Sequence, residues 1–246
     1  MKRVRLDQRL VDLDLAESRE KAQRLILAGE VTVDGQLRDK PAFPTTEEAV
    51  IVVKAPARFV SRGGDKLEAA FEHFKLDVTG RICLDVGAST GGFTDCLLQH
   101  GAARVYAVDV GRGQLHWRLR QDARVAVMEG INARYLYPEN FPEPPDMATA
   151  DVSFISLTLV LPALARVLVP GGRIVTLIKP QFEAGREQVG RGGVVRDPAI
   201  HEEVLRRIRT FGEGEVGLLW KGFIPSPLRG PAGNVEFLAL WEKGSP

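Results

Sequence analysis

The chain has 246 residues, 44% of them hydrophobic, and sets 33 Lys and Arg against 32 Asp and Glu for a formal charge of +1. That length holds one medium domain or two smaller ones, and the near-neutral balance excludes a bulk electrostatic nucleic-acid binder while permitting local basic patches. The longest apolar stretch, Phe154 to Val169, is broken by Pro162 and Arg166, so no membrane span is expected. The N-terminus, MKRVRLDQRL, lacks the apolar core of a signal peptide. From there Leu6, Leu10 and Leu13 recur at helical spacing. Ser18 is placed to cap a second helix with Ala22, Leu25 and Ile26 on its apolar face, and Gly29 stands at its C′ position. Val31 to Val33 then reads as a strand, Asp34-Gly35 as a tight hairpin turn and Val50 to Val53 as a later strand.

Arg3, Arg5, Arg9, Arg19, Lys21 and Arg24 crowd the helical part of this unit. Its run RLDQRLVDLDLAESREKAQRLILAGEVTVDG, with an R-L-D opening, an S-R-x-x-A helix start and a G-x-V-x-V-D-G close, resembles the S-four RNA-binding domain. The resemblance implies an α+β module in which one helical face meets phosphates, with Arg3, Arg5, Arg9, Arg19 and Lys21 as RNA contacts. Pro41, Pro44 and Pro56 punctuate its end. The expected division is an RNA-binding domain over 1–56, a linker over 57–61 and a second domain over 62–246.

In the second domain strands and helices alternate. Strands are expected at Ile82–Val86, Arg104–Val108, Val125–Glu129, Met147–Asp151, Arg173–Ile178, Glu215–Lys221 and Val235–Trp241, with helices near 64–74, 92–99, 113–121, 156–168 and 198–211. The alternation predicts an α/β fold, a Rossmann-like, seven-stranded and mostly parallel sheet wrapped by helices on both faces.

The stretch from Cys83 to Thr94 reads as strand, glycine turn and helix start, where backbone approaches a ligand closely and unpaired N–H groups point at it. A dinucleotide loop would read GxGxxG; here the pattern is D-x-G-x-x-x-G-G, with no glycine where a pyrophosphate needs one. That favours S-adenosyl-L-methionine over a nicotinamide cofactor. Asp85, Gly87, Ala88, Ser89, Gly91, Gly92, Phe93 and Thr94 are its expected contacts in the loop. Asp109, at the end of the next strand, suits both ribose hydroxyls, with Val110 beside it, and Asn132 faces the adenine.

Asp151 and Lys179 close the fourth and fifth strands, Glu236 stands early in the last, and Lys66 begins the helix entering the domain. Ligands of open α/β sheets lie beyond the carboxyl ends of the strands, so two lysines and two acids converge there. The strings SRGGDKL, LDVGASTGGFTD, DVGRGQLHWRLR, ADVSFISL, IKPQFEAGREQVGRGGVVRD and GNVEF resemble the TlyA (hemolysin A) family of ribosomal RNA 2′-O-methyltransferases, relatives of FtsJ. The resemblance implies a class I methyltransferase whose Lys-Asp-Lys-Glu tetrad falls on Lys66, Asp151, Lys179 and Glu236. In the linker, Ala57-Arg58-Phe59-Val60 departs from a family form with arginine, a small residue and Trp before valine.

A ribose 2′-hydroxyl is a poor nucleophile that needs help losing its proton. Lys179 is the expected base or hydroxyl-orienting group, Asp151 and Glu236 its orienters, and Lys66 a positioner of the hydroxyl or a phosphate. Arg62, and Arg186, Arg191 and Arg196 in a Gly- and Arg-rich flap from Gly185, are further expected RNA contacts. Trp117 reads equally as bordering a ligand or packing the core. No metal is required by this chemistry. Cys83 and Cys96 show no CxxC spacing and His73, His100, His116 and His201 are scattered, which argues against a disulfide framework or zinc site and for a reducing cytoplasm.

The implied partner is ribosomal RNA or a ribosomal subunit, not a membrane. The resemblance implies a cytidine of 23S RNA, in some members also one of 16S RNA, and the short stretch after the last strand points to the 23S kind. The alternatives are an RNA-binding assembly factor on an inactive scaffold and a membrane-lytic protein.

Overall fold

The computed structural model describes residues 3–54 and 58–244 and divides into two units, Met1–Ala57 and Arg58–Pro246. In the first, β1 (Val4–Arg5) leads into α1 (Leu6–Asp12), followed by α2 (Arg19–Leu27), β2 (Val31–Val33), β3 (Gln36–Leu37), β4 (Pro44–Thr45) and β5 (Ile51–Val53). Leu6 and Leu10 enter the core with Ala22, Ile26, Val31 and Val33. Leu13, expected as their third member, lies beyond the helix end and is 41% exposed. Ser18 caps α2 by accepting the Lys21 N–H at 3.2 Å, and Gly29 ends it at φ 72°. Asp34 and Gly35 are both left-handed, the geometry of a primed two-residue hairpin turn. They join β2 to β3 in a sheet ordered β3-β2-β5. The pair β1 and β4 escaped the sequence reading, because a two-residue strand shows no period.

Two of the expected RNA contacts have other work in this unit. Asp7 is fully buried, and both Arg5 and Arg19 bond its Oδ2, at 2.9 and 3.1 Å, with Gln23 adding a third bond at 2.9 Å. The hydrogen bond from Arg5, foremost, and those from Gln23 and Arg19 outweigh burial and hold this carboxyl well below the usual range. Arg5 and Arg19 thus neutralise a core acid while staying half exposed, and Arg3 and Lys21 are exposed too. Arg9 donates to the Glu47 carbonyl at 3.1 Å.

The second unit runs α3 (Gly63–Phe74), β6 (Ile82–Val86), α4 (Gly92–Gln99), β7 (Arg104–Asp109), α5 (Trp117–Arg120), β8 (Val125–Glu129), β9 (Met147–Ala150), α6 (Leu161–Val167), β10 (Arg173–Ile178), α7 (Pro180–Glu183), α8 (Pro198–Gly214), β11 (Leu218–Pro225) and β12 (Phe237–Lys243). Its seven-stranded sheet has the order β11-β12-β10-β9-β6-β7-β8, parallel except where β12 runs antiparallel to both neighbours. Alternate strand residues feed two cores: Leu84, Val86 and Val108 face α6 and α8, whereas Cys83, Val105 and Ala107 face α3 and α4. This is the Rossmann-like α/β fold read from the sequence.

The details differ where local signals competed. The helix expected over 113–121 shrinks to α5, and that over 156–168 splits into a single turn at Leu157–Leu159 and then α6, with Pro162 in the first turn. The last two strands begin three and two residues later than expected, the first of them because α8 continues to Gly214 and Gly217 makes the turn at φ 74°. Ala57, the expected start of the linker, lies outside the described residues. Its remainder belongs to the second unit: Phe59 is buried against Gly64, where any Cβ would strike its ring, and packs with Leu67 and Phe93. Among the described residues no helix is long and apolar enough to cross a membrane.

Candidate active site

The glycine loop is held on the ends of β6 and β7 by its own backbone. The Gly87 and Ala88 N–H groups donate to the Val108 carbonyl at 2.9 and 3.1 Å, and Gly87 adopts φ 79°. A side chain there would strike the Asp151 carbonyl oxygen, so glycine is what lets the loop lie against the end of β9. Asp109 accepts the Ser89 N–H at 2.8 Å and the Gly111 N–H at 2.6 Å, which ties the loop to the turn after β7.

Two cavities open on this loop and share Gly87, Ser89 and Asp151. The larger, about 420 Å³, is bordered by Asp109, Val110 and Asn132 on one side and Val152 and Phe154 on the other. No Lys or Arg lines it. The smaller, about 240 Å³, is bordered by Ala88, Gly92 and Phe93 and by the cations Arg62, Lys66 and Arg229.

Three of the expected cofactor contacts do not reach either cavity. Asp85 is fully buried beneath the loop, its oxygens accepting the Thr94 hydroxyl at 2.7 Å and the Thr149 hydroxyl at 2.9 Å. Burial pushes its carboxyl up to about 6, against the pull of those two hydroxyls. Thr94 is spent on that bond, and Gly91 makes room for Leu115 and Leu119. All three shape the loop from behind.

The tetrad assembles as two ion pairs. Lys66 Nζ lies 2.6 Å from Glu236 Oε2, and Gln181 donates to Glu236 Oε1 at 3.3 Å. Lys179 Nζ lies 2.6 Å from Asp151 Oδ1 and donates to the Ser153 hydroxyl at 2.8 Å. The ammonium meets Asp151 off the hydrogen-bonding direction, so Oδ1 stays buried with no hydrogen bond. Lys66 and Asp151 both line the smaller cavity, bringing one member of each couple to one space. The antiparallel course of β12 makes this possible, since its start pairs with the end of β10 at Phe237 and Ile178.

Several residues of the site were missed in the sequence. Glu183 is buried on α7, accepting the Ser156 hydroxyl at 2.6 Å and the Leu157 N–H at 2.8 Å. Burial raises its pKa, with those two bonds opposing. It joins the loop after Lys179 to the loop after Asp151, and its signal was a lone acid in the run IKPQFEA. Phe154 sits beyond Asp151 at φ 62° with its ring 91% exposed and 4.8 Å from that of Phe182. Asn234 is buried, accepting the Val195 N–H at 3.0 Å and donating to the Gly193 carbonyl at 2.9 Å, which fixes the base of the flap that carries the exposed Arg186 and Arg191. Trp117 is exposed outside both cavities and is not a core residue.

The S4 domain model matches residues 4–51, and the FtsJ-like methyltransferase model matches residues 59–243. The chain belongs to the FtsJ-like methyltransferase family. It is 48% identical over 246 residues to the 16S/23S rRNA (cytidine-2′-O)-methyltransferase TlyA of Mycobacterium tuberculosis, covering 98% of this chain and 90% of that one. Hemolysin A of Brachyspira hyodysenteriae is 45% identical over 241 residues, covering 96% of this chain and 98% of its own length. A solved structure of a hemolysin candidate from Streptococcus thermophilus superposes with a TM-score of 0.77 at 50% identity, covering 100% of this chain and 90% of that one. In this FtsJ-like chain the expected Lys-Asp-Lys-Glu positions are the residues that meet as the two ion pairs.

Proposed function

We propose that this protein methylates the ribose 2′-hydroxyl of a cytidine in ribosomal RNA, using S-adenosyl-L-methionine. The observation that carries the reading is the pair of lysine–carboxylate couples at the rim of the two cavities, in a chain 48% identical to an rRNA (cytidine-2′-O)-methyltransferase.

The residues of the larger cavity fit the cofactor. Asp109 offers a carboxylate to ribose hydroxyls, Val110, Ile131 and Val152 make apolar walls for a purine, and the absence of a lining cation suits a ligand without phosphate. When bound, the cofactor supplies a methyl group activated by sulfonium charge. The protein's part is alignment and proton handling. Of the two roles open to it, Lys179, held by Asp151 and donating to the Ser153 hydroxyl, orients the substrate hydroxyl. Methyl transfer releases the hydroxyl proton, and the Asp151 carboxylate, which borders both cavities, is placed to accept it. Lys66, fixed by Glu236, stands with Arg62 and Arg229 along the smaller cavity, a cationic wall for the phosphates that flank the target sugar. The exposed Phe154 ring offers a stacking face for an unpaired base.

The decisive experiment incubates the full chain with methyl-labelled cofactor and separate small and large ribosomal subunits, then maps the modified sugar. Label on a cytidine 2′-oxygen is the expected result; label on a base, or none on either particle, would overturn the reading.

A further inference from the structure

We infer that Glu68, Cys96 and His100 form a binding site for a thiophilic divalent cation of the Zn²⁺ class, outside the reacting centre and independent of the function proposed above. Cys96 and His100 stand four residues apart, at the end of α4 and its cap, so they share one helical face. Glu68 on α3 meets that face with a single oxygen: Oε2 lies 2.7 Å from His100 Nε2 and 3.7 Å from Cys96 Sγ. The three ligand atoms all lie within 4.8 Å of one another, the one such cluster among the described residues.

A tetrahedral Zn²⁺ with bonds of about 2.0 Å to nitrogen and oxygen and about 2.3 Å to sulfur sets its ligands roughly 3.3–3.6 Å apart. Reaching that spacing asks the Glu68–His100 contact to open by about 0.6 Å, and Cys96 and His100 to close by at most about 1.3 Å. The surroundings suit the site. Arg58 pairs with the other oxygen of Glu68 at 2.9 Å, which fixes the carboxylate with Oε2 turned toward His100 and Cys96. The Phe71 ring packs on the imidazole with centroids 4.2 Å apart. Glu68 and His100 are half-buried rather than enclosed, which leaves the fourth position to water.

Binding exchanges one proton for the cation. Cys96 would bind as the thiolate, its proton leaving to solvent as the sulfur–metal bond forms. The cation would tie α3, which carries Lys66, to α4, which begins at Gly92 of the cofactor loop.

The test titrates the full chain with Co²⁺, whose thiolate charge-transfer and ligand-field bands report sulfur ligation and tetrahedral geometry. One equivalent should produce both bands, Zn²⁺ should abolish them, and Zn²⁺ alone should raise Tm by a few degrees. Cys96→Ser should lose the charge-transfer band, Cys83→Ser should keep it, and His100→Ala should weaken binding at least tenfold. Should Cys96→Ser fail to fold, Glu68→Gln and His100→Ala, at less buried positions, decide the matter by the same titration. No charge-transfer band at saturating Co²⁺, a band that survives Cys96→Ser, or unchanged affinity in the other two variants would overturn the inference.

Discussion

The two lysine–carboxylate couples look alike in sequence and differ in what surrounds them. Glu236 is 1% exposed and both its oxygens are engaged, by Lys66 and by Gln181. Asp151 is 22% exposed, and its Oδ1 has Lys179 beside it but no hydrogen bond. Glu236 is enclosed with both oxygens engaged, whereas Asp151 borders both cavities and faces whatever enters them. Under the proposed function, the contrast gives positioning to the first and chemistry to the second.

Breaking each couple separates these roles. Lys179→Ala should lower kcat by about 10²–10⁴-fold with a smaller loss of Tm than Glu236→Ala, since the Asp151 left behind is the more exposed acid, measured as initial methyl transfer and by calorimetry. If turnover survived, the second couple would lose its chemical role. Glu236→Ala should act first on stability, by about 3–5 kcal/mol in denaturant unfolding, because it leaves the Lys66 ammonium largely buried without its partner. A variant as stable as the parent would show that the first couple holds nothing. Glu183→Ala should lower kcat roughly tenfold by loosening the loop of Lys179 against that of Asp151, with Glu183→Gln recovering most of the loss.

Asp85 sharpens the comparison from beneath: it is as buried as Glu236 but has hydroxyls where Glu236 has a cation. Its folded pKa of about 6 lies above the ordinary 3.8. The folded state therefore binds the proton more tightly, and the stability gained is present below about pH 4 and lost as pH rises to about 6. Asp85→Asn should flatten the stability profile across that window, a change of up to about 3 kcal/mol. A profile identical to the parent's would remove Asp85 from the account.

Much of the site was legible because strand ends are legible. Asp109, Asp151 and Lys179 each follow a clear apolar run, and the parallel sheet brings such ends to one edge. Burial was not legible at that level. Asp85 and Asp109 stand on one face of adjacent strands, yet one lies under the loop and the other borders the larger cavity. The difference comes from register: Asp85 pairs with Ala107, so Asp109 stands two residues nearer the carboxyl edge, while Asp85 is left beneath the loop with Thr94. The pairing of Arg5 and Arg19 with Asp7 was not legible for a related reason, since a basic helix face reads as solvated until the buried acid behind it is seen.

By itself the sequence determined the alternation of elements, the glycine loop, the hairpin turn at Asp34-Gly35 and the identity of the four charged residues, all of which rest on local periodicity and backbone freedom. Tertiary structure alone decided which lysine meets which acid, that Glu183 staples two loops, and that Glu68 reaches Cys96 and His100 from another helix. Those contacts join residues 26 to 170 positions apart. Only packing of the helices on the sheet sets such distances, and no short-range pattern in the chain records them.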